Sequence, residues 1–234
     1  MPRDFTSLNI RFGDDAEAVL RFSLSGALGR IALVSSFGAE SVVLLHMVSE
    51  IAPKTPVIFI DTLLLFPETM TYQQEIAEKL GLSDLRIVTP DRDALFAKDP
   101  DAVLHRSDPD ACCELRKTQP LAMALEGFDG WITGRKREQG GARAELPMFE
   151  RGSGPLKINP LAAWNSRATS AYMDRHALPR HPLVAKGYAS IGCGPCTGPV
   201  GKSEDPRAGR WRGQEKTECG IHIEEGRVIR RKAS

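Results

Sequence analysis

Residues 31–51, IALVSSFGAESVVLLHMVSEI, form the stretch that decides the fold class. Residues 31–35 are a short apolar run, which is typical of a buried strand. The segment SFGAE then supplies a turn, and from residue 41 to residue 51 the apolar residues recur with the period of a helix. The sequence therefore predicts a strand, a loop and a helix in direct succession.

Three further strands are predicted downstream, at Val57–Ile60, Leu85–Val88 and residues 131–133. A helix is predicted from Pro67 towards Leu80, because proline suits the first helical turn and Gly81 favours the helix end. Alternating strands and helices imply right-handed crossovers and a mostly parallel sheet flanked by helices. The predicted fold class is α/β. Beyond about residue 187, glycine, proline and charged residues predict a loop-rich C-terminal tail.

The composition indicates one sizeable core, since 41% of the 234 residues are hydrophobic and 26% are charged. No apolar run has the length of a signal peptide or a membrane span, so we expect a cytoplasmic protein with no membrane partner. The 31 Lys and Arg residues nearly balance the 30 Asp and Glu residues, which gives no general reason to expect nucleic acid binding. Five cysteines, an odd number, favour metal binding or catalysis over a disulfide framework.

Three loops are expected to meet at one edge of the sheet, because open α/β sheets bind ligands at the carboxyl ends of their strands. The first, SSFGAE (35–40), offers backbone N–H groups to an anion, although a tight connection would look the same. The second begins at Asp61, for which a turn or helix cap is the alternative. The third, GRKREQGGAR (134–143), is basic, as a solvated surface loop also is. Together they favour a nucleotide or another polyanion.

Four of the five cysteines form two groups, the adjacent pair Cys112 and Cys113 and the Cys-x-x-Cys turn of Cys193 and Cys196. A disulfide between adjacent cysteines would close a strained ring. Four thiolates suit either Zn²⁺ or an iron–sulfur cluster. Neighbouring side chains on a helix diverge by roughly 100°, which favours different irons of a cluster over one zinc ion. Unmetallated buried cysteines are the remaining alternative.

The order of five motifs resembles that of the adenylyl-sulfate reductases, the cluster-containing branch of the assimilatory sulfonucleotide reductases. The motifs are DTLLLFPET (61–69), ACCELRK (111–117), NPLAAW (159–164), GYASIGCGPCT (187–197) and ECGIH (218–222). The resemblance implies an adenine nucleotide hydrolase-like fold related to the PP-loop enzymes. It also implies a [4Fe-4S] cluster and a reaction that converts adenosine 5′-phosphosulfate to sulfite and AMP with electrons from reduced thioredoxin.

The resemblance assigns roles to individual residues. The cluster ligands are Cys112, Cys113, Cys193 and Cys196, and the catalytic residues are Cys219 as nucleophile, His222 beside it and Lys117 between cluster and substrate. The substrate-binding residues are Ser35, Ser36, Gly38, Asp61, Arg143, Arg207, Arg210 and Arg212. Phe37 stands where the family commonly has serine, so one hydroxyl donor is either missing or supplied by Ser36.

The chemistry constrains the order of steps. A thiolate reaches the sulfur of a phosphosulfate only where Lys or Arg neutralises the surrounding oxygens. Attack by Cys219 releases AMP and leaves a thiosulfonate, and no cysteine of the chain remains to resolve it. An external dithiol, thioredoxin or glutaredoxin, is therefore expected as partner. We expect a nucleotide-binding α/β domain in residues 1–190 that includes Cys112 and Cys113. Residues 191–234 would be the Cys-x-x-Cys loop and a mobile tail with the nucleophile.

Several alternatives stay open at this point. The close one is reduction of 3′-phosphoadenosine 5′-phosphosulfate, although reductases of that substrate generally lack the cluster cysteines. An RNA-thiolating PP-loop enzyme would be expected to show Ser-Gly-Gly-x-Asp-Ser and a basic RNA-binding face, and neither is present. A zinc-binding module without activity is the third alternative. The sequence leaves open whether the protein forms a homo-oligomer.

Overall fold

The apolar run at residue 31 lies at the centre of a six-stranded sheet in the computed structural model. The model describes residues 5–151, 154–214, 216, 223–224 and 227–228. The sheet strands are β1 (Ile31–Val34), β2 (Val57–Ile60), β3 (Leu85–Val88), β4 (Gly130–Ile132), β5 (Phe149–Glu150) and β6 (Leu156–Ile158). Two short strands, β7 (Ile223–Glu224) and β8 (Arg227–Val228), form a separate antiparallel pair.

Helices precede the sheet and connect its strands. In the described residues the α-helices are α1 (Phe5–Phe12), α2 (Ala16–Leu24), α3 (Ser41–Ile51), α4 (Pro67–Lys79), α5 (Arg92–Lys98), α6 (Leu104–Ser107), α7 (Pro109–Cys113), α8 (Gln119–Ala124) and α9 (Ser166–Arg175). A π-helical turn, Glu114–Thr118, joins α7 to α8. Short 3₁₀ turns lie at Arg137–Gln139, Gly141–Arg143, Pro182–Lys186 and Gly194–Cys196. No helix of the described residues is long and apolar enough to cross a bilayer.

The strand order is β3-β2-β1-β4-β6-β5, and every neighbouring pair except β5 and β6 is parallel. The chain moves from β1 outwards to β3 and then returns to the other side of β1 with β4. Such a change of direction opens a crevice at the carboxyl ends of the two central strands. The predicted α/β fold with a mostly parallel sheet is confirmed, and β1 and β4 locate its crevice.

The first strand is covered on both faces. On one face the core contains buried side chains of α2 and α3, including Val19, Leu20 and Leu45. On the other, Leu121, Leu125 and the ring of Trp131 form a smaller cluster against the sheet. Burial on both faces explains why β1 is a continuous apolar run rather than an alternating one.

The loop-rich segment predicted after residue 187 is folded back on itself as far as residue 214. The backbone N–H of Gly198 donates to the carbonyl of Gly209 at 2.8 Å, and that of Trp211 donates to the carbonyl of Cys196 at 3.0 Å. The Trp211 side chain is only 3% exposed. These contacts hold the described part of the segment close to the Cys-x-x-Cys turn.

Candidate active site

A cavity of about 620 Å³ lies at the carboxyl ends of β1 and β4. Its walls come from the loop after β1, the loop after β4, helix α9 and residues 189–192 and 205–210. A volume of this size suits a small-molecule ligand such as a nucleotide. The loops that the sequence placed at one edge of the sheet therefore do meet, except for the loop that begins at Asp61.

The loop after β1 forms one wall and is held by its own hydroxyl groups. Ser35 Oγ accepts a hydrogen bond from the backbone N–H of Phe37 at 3.2 Å, and Ser41 Oγ accepts one from that of Gly38 at 2.9 Å. Phe37 has a positive φ of 47° and is fully buried, with its ring edge-to-face on Phe59. Its side chain belongs to the core and does not line the cavity, whereas Ser36 and Gly38 do.

The loop after β4 brings a buried cation into the cavity. The side chain of Lys136 is 3% exposed, and its Nζ lies 2.6 Å from Glu40 Oε2 and 3.7 Å from Glu138 Oε2. The neighbouring Arg135 pairs with Glu150 at 2.5 Å. Lone charges are costly to bury, so these carboxylates are what allow the basic loop to enter the cavity.

Three of the predicted arginines line the same cavity, namely Arg143, Arg207 and Arg210. Arg143 donates to Gln139 Oε1 within its own loop. Arg210 lies with its guanidinium over the ring of Trp211, 4.5 Å from the centroid, which fixes the direction of the side chain. The cavity therefore presents cations from two separate segments of the chain, as binding of an anionic ligand requires.

The four paired cysteines line a second, much smaller cavity, of about 10 Å³. Helix α7 supplies Cys112 and Cys113. The 3₁₀ turn Gly194–Cys196 supplies Cys196, and Cys193 directly precedes this turn. None of these four cysteines forms a disulfide. The Cys-x-x-Cys turn is held against the loop after β2, since Gly194 N–H donates to the carbonyl of Leu64 at 2.7 Å.

Polar groups surround these cysteines. Thr62 Oγ1 lies 3.2 Å from Cys193 Sγ. Arg116 is almost fully buried, donates to the carbonyl of Thr62 at 3.1 Å and pairs with buried Asp99 at 2.7 Å. Burial raises the pKa of the Cys112 thiol to about 11, against the opposing effect of the Arg116 charge. A free Cys112 is therefore a neutral thiol, which is a poor nucleophile.

The donor set fits a thiolate-bound metal group by its chemistry, because four cysteines from two segments line one space. In the described part of the chain, however, no group of three or more His, Cys, Asp and Glu side chains is arranged to hold a metal ion.

Lys117 lies where the two cavities meet, because it lines both of them. The π-helical turn Glu114–Thr118 places it there, directly after the paired cysteines. Pro120 has no N–H and cannot donate to the carbonyl of residue 116 as an α-helix requires, which favours the wider turn. This turn directs Arg116 to the core while Lys117 reaches both cavities.

The family model of the phosphoadenosine phosphosulfate reductase domain matches residues 30–199 of this chain. These residues form most of the walls of both cavities. The chain belongs to this family. A relative from Chelativorans sp. (strain BNC1), named adenosine 5′-phosphosulfate reductase, is 49% identical over 219 residues, 92% of this chain and 89% of the relative. One from Gloeobacter violaceus, named phosphoadenosine 5′-phosphosulfate reductase, is 37% identical over 215 residues, 88% of each chain.

A solved structure of the phosphoadenosine phosphosulfate reductase family supports the same assignment. The crystal structure of phosphoadenylyl-sulfate (PAPS) reductase from Candida auris, in its phosphate complex, is 30% identical in sequence and has a TM-score of 0.67. The comparison covers 80% of this chain and 90% of that chain. The fold and the family that the motifs implied are therefore both established.

Two predicted substrate residues of this family member lie outside the large cavity. Asp61 Oδ1 accepts a hydrogen bond from the backbone N–H of Leu63 at 2.9 Å, which is the turn role weighed for it from the sequence. Arg212 is exposed and pairs with Glu204 at 3.1 Å. Cys219 and His222 lie outside the described residues.

Several residues of the site were not predicted from the sequence. They are Glu40, Thr62, Asp99, Arg116, Lys136 and Lys216. Glu40 and Lys136 lie inside the two loops that were singled out, so only their pairing was missed. Asp99 and Arg116 are 17 residues apart and carry no signal of their own, because a buried ion pair is recognised only once its burial is known.

Proposed function

We propose that this chain reduces adenosine 5′-phosphosulfate to sulfite and AMP, and its Chelativorans relative is named adenosine 5′-phosphosulfate reductase. The observation that carries the proposal is the position of Lys117, which lines both the cation-rich cavity and the cavity of the four cysteines. A nucleotide in the cation-rich cavity would place its anionic end towards the cavity of the four cysteines. We expect the reaction to take place in the cytoplasm as part of sulfate assimilation.

The large cavity would hold the nucleotide through its loops and its cations. Ser35, Ser36 and Gly38 lie in the loop that leads into α3, and the N-terminus of a helix favours an anion. Arg143, Arg207 and Arg210 would neutralise the oxygens around the sulfur, together with Lys117. Such preorganised cations lower the barrier because the attacking thiolate and the phosphosulfate would otherwise repel each other.

A [4Fe-4S] cluster would be held by Cys112, Cys113, Cys193 and Cys196. When bound, it supplies an iron–sulfur centre whose charge adds to the field around Lys117. The hydroxyl of Thr62 lies within hydrogen-bond distance of the Cys193 sulfur. Hydrogen bonds to the sulfurs tune the reduction potential of iron–sulfur centres. The polar residues around the four cysteines would therefore influence the reduction potential of the bound cluster.

Cys219 would be the nucleophile, with His222 beside it. Its thiolate attacks the sulfur of the phosphosulfate, the sulfur–oxygen bond to phosphate breaks, and AMP leaves with the electron pair. The resulting thiosulfonate is resolved by an external dithiol, either thioredoxin or glutaredoxin. The first thiolate of that partner attacks the Cys219 sulfur and expels sulfite with its electron pair. Its second thiol then releases Cys219, so the partner ends as a disulfide and has supplied two electrons.

We also propose a division of the chain that fits this order of events, in which Arg207 and Arg210 of the second part complete the nucleotide cavity. Residues 1–190 would bind the nucleotide, and residues 191–234 would carry the Cys-x-x-Cys turn and the nucleophile. The nucleophile would then serve two reactants in turn, first the nucleotide and then the dithiol partner.

A burst experiment tests the mechanism. Enzyme mixed with sulfur-labelled substrate and no dithiol should release about one AMP per chain and retain the label, with no sulfite formed. The label should map to Cys219, and Cys219→Ser should lose both label and turnover. Sulfite release by the Cys219→Ser enzyme at the wild-type rate, or label on another cysteine, would contradict the mechanism.

The second candidate is reduction of 3′-phosphoadenosine 5′-phosphosulfate, because relatives of that name also match the chain. The presence of all four cluster cysteines favours the unphosphorylated nucleotide. We expect its kcat/KM to be larger by at least about tenfold, or roughly 1.4 kcal/mol in transition-state binding. A preference for the 3′-phosphorylated substrate in the same assay would favour the second candidate instead.

A further inference from the structure

Lys216 is a nearly buried lysine that the reaction scheme above does not use. Its side chain is 8% exposed, and its Nζ lies 2.9 Å from Asp110 Oδ1 and 2.8 Å from the carbonyl oxygen of Pro109. The same ammonium also interacts with the Cys113 side chain. All three partners belong to α7, the helix that carries the paired cysteines.

We propose that Lys216 is a positioning residue, which fastens the C-terminal segment to α7 and supplies a charged hydrogen-bond donor to the Cys113 sulfur. The inference rests on the proposed function, because it concerns a cluster ligand and the segment that leads to Cys219.

The segment before Lys216 is also attached to the cysteine site. Trp211 donates its backbone N–H to the carbonyl of Cys196, and two cations lie near its buried ring. Arg210 lies 4.5 Å from the ring centroid and Lys216 lies 5.7 Å from it. The segment therefore contacts both halves of the site, the Cys-x-x-Cys turn through Trp211 and the paired cysteines through Lys216.

The charge of Lys216 is expected to act on the cluster itself. A hydrogen bond from an ammonium stabilises the more negative, reduced state of a thiolate-bound iron centre, so it raises the reduction potential. Removal of Lys216 should shift the potential to more negative values. Removal of the Asp110 carboxylate should shift it to more positive values, because a negative charge is lost from the same place. General loosening of the site would not produce opposite signs.

The experiment compares Lys216→Met, Lys216→Arg and Asp110→Asn with the wild-type holoprotein. Methionine keeps most of the side chain that packs on Trp211 but removes the charge, and arginine keeps the charge. Lys202→Met, which removes an exposed lysine of the same segment, is the matched control. The potential is followed by absorbance near about 400 nm in a redox titration. The rate of cluster loss to a ferrous chelator and the rate of tryptic cleavage after Arg212 are measured on the same samples.

We expect a more negative potential for Lys216→Met, a more positive one for Asp110→Asn, and values near wild type for Lys216→Arg and Lys202→Met. Cluster loss and cleavage after Arg212 should be about tenfold faster in Lys216→Met, as the loss of one charged hydrogen bond predicts. An unchanged reduction potential in Lys216→Met, or shifts of the same sign in Lys216→Met and Asp110→Asn, would overturn this proposal. Reductase activity of the wild-type enzyme would leave the proposed function intact in that case. A wild-type protein without a cluster would overturn both the proposal and the cofactor assignment on which it rests.

Discussion

The Nζ atom of Lys136 lies 2.6 Å from Oε2 of Glu40, and this ion pair joins the loop after β1 to the loop after β4 inside the large cavity. The lysine side chain is 3% exposed and that of the glutamate is 37% exposed. The pair therefore neutralises two charges at the point where the strand order changes direction. It also sets the net charge that an anionic ligand meets.

Lys136→Met should weaken nucleotide binding. Without the lysine, Glu40 and Glu138 face the anion with no cation between them, and repulsion over a few ångströms is worth about 1–2 kcal/mol. We expect the Kd for AMP to rise by about tenfold, measured by calorimetry. Lys186→Met, which breaks the exposed pair with Glu68, is the matched control and should leave the Kd unchanged. Equal effects of the two substitutions would show that the buried pair has no role in binding.

Each of the four paired cysteines should be required for the chromophore. The wild-type protein, purified without oxygen, should be brown with broad absorbance near about 400 nm, and Ser at position 112, 113, 193 or 196 should bleach it. Cys219→Ser should keep the colour, because its thiol is not a proposed ligand. A colourless preparation that contains one zinc per chain would refute the cluster and favour a zinc site.

Asp99→Asn should destabilise the protein strongly. Asp99 and Arg116 are 1% and 5% exposed, so removing the carboxylate charge leaves a buried guanidinium unpaired, at a cost of about 3–5 kcal/mol in the free energy of unfolding. The exposed pair of Asp84 with Arg86 is the matched control, and Asp84→Asn should cost less than about 1 kcal/mol. Denaturant unfolding measures both, and similar losses would contradict the assigned burial.

Acid should destabilise the protein through His181. This side chain is 1% exposed, its Nδ1 accepts from the backbone N–H of Leu183, and its Nε2 lies 3.0 Å from Thr69 Oγ1. Burial lowers the pKa of His181 to about 4, although the charge of Glu68 acts in the opposite direction. The unfolded chain therefore binds more protons between pH 6.5 and pH 4.

The contribution of His181 to the free energy of unfolding is complete above pH 6.5 and is lost as the pH falls towards 4. The loss is about 3 kcal/mol at most. Unfolding in denaturant at a series of pH values checks the slope. His181→Asn should flatten the curve between pH 6.5 and pH 4. An unchanged slope in that variant would show that other groups cause the acid sensitivity.

Local sequence patterns predicted the elements whose cause is local. Helix α3 and strands β2 and β3 have the predicted bounds, because apolar runs and helical periodicity reflect burial of contiguous residues. Strand β1 ends one residue before its predicted end, and strand β4 begins one residue before its predicted start. The helices α1 and α2 were not predicted. Their apolar side chains pack on the distant strand β5, through Phe12 and Phe22 against Phe149.

The candidate site shows the same division. The sequence marked the four cysteines, Lys117 and the basic loop by their residue types and spacing. It could not tell Arg207 and Arg210, which line the cavity, from Arg212, which pairs with Glu204. It also could not show that Phe37 turns into the core while Thr62, rather than Asp61, contacts a cysteine. These differences depend on backbone direction at single residues, which composition does not specify.

By itself the sequence determined the α/β class, the family and the residue types available for chemistry, because periodicity and motif spacing are properties of the chain. Only the tertiary structure decided which of these residues meet. Lys117 joins two cavities, Lys136 is buried with Glu40, and Lys216 reaches Cys113 across 103 positions of the chain. The physical reason is that a charge can be buried only beside a partner. Folding brings such partners together from distant parts of the chain.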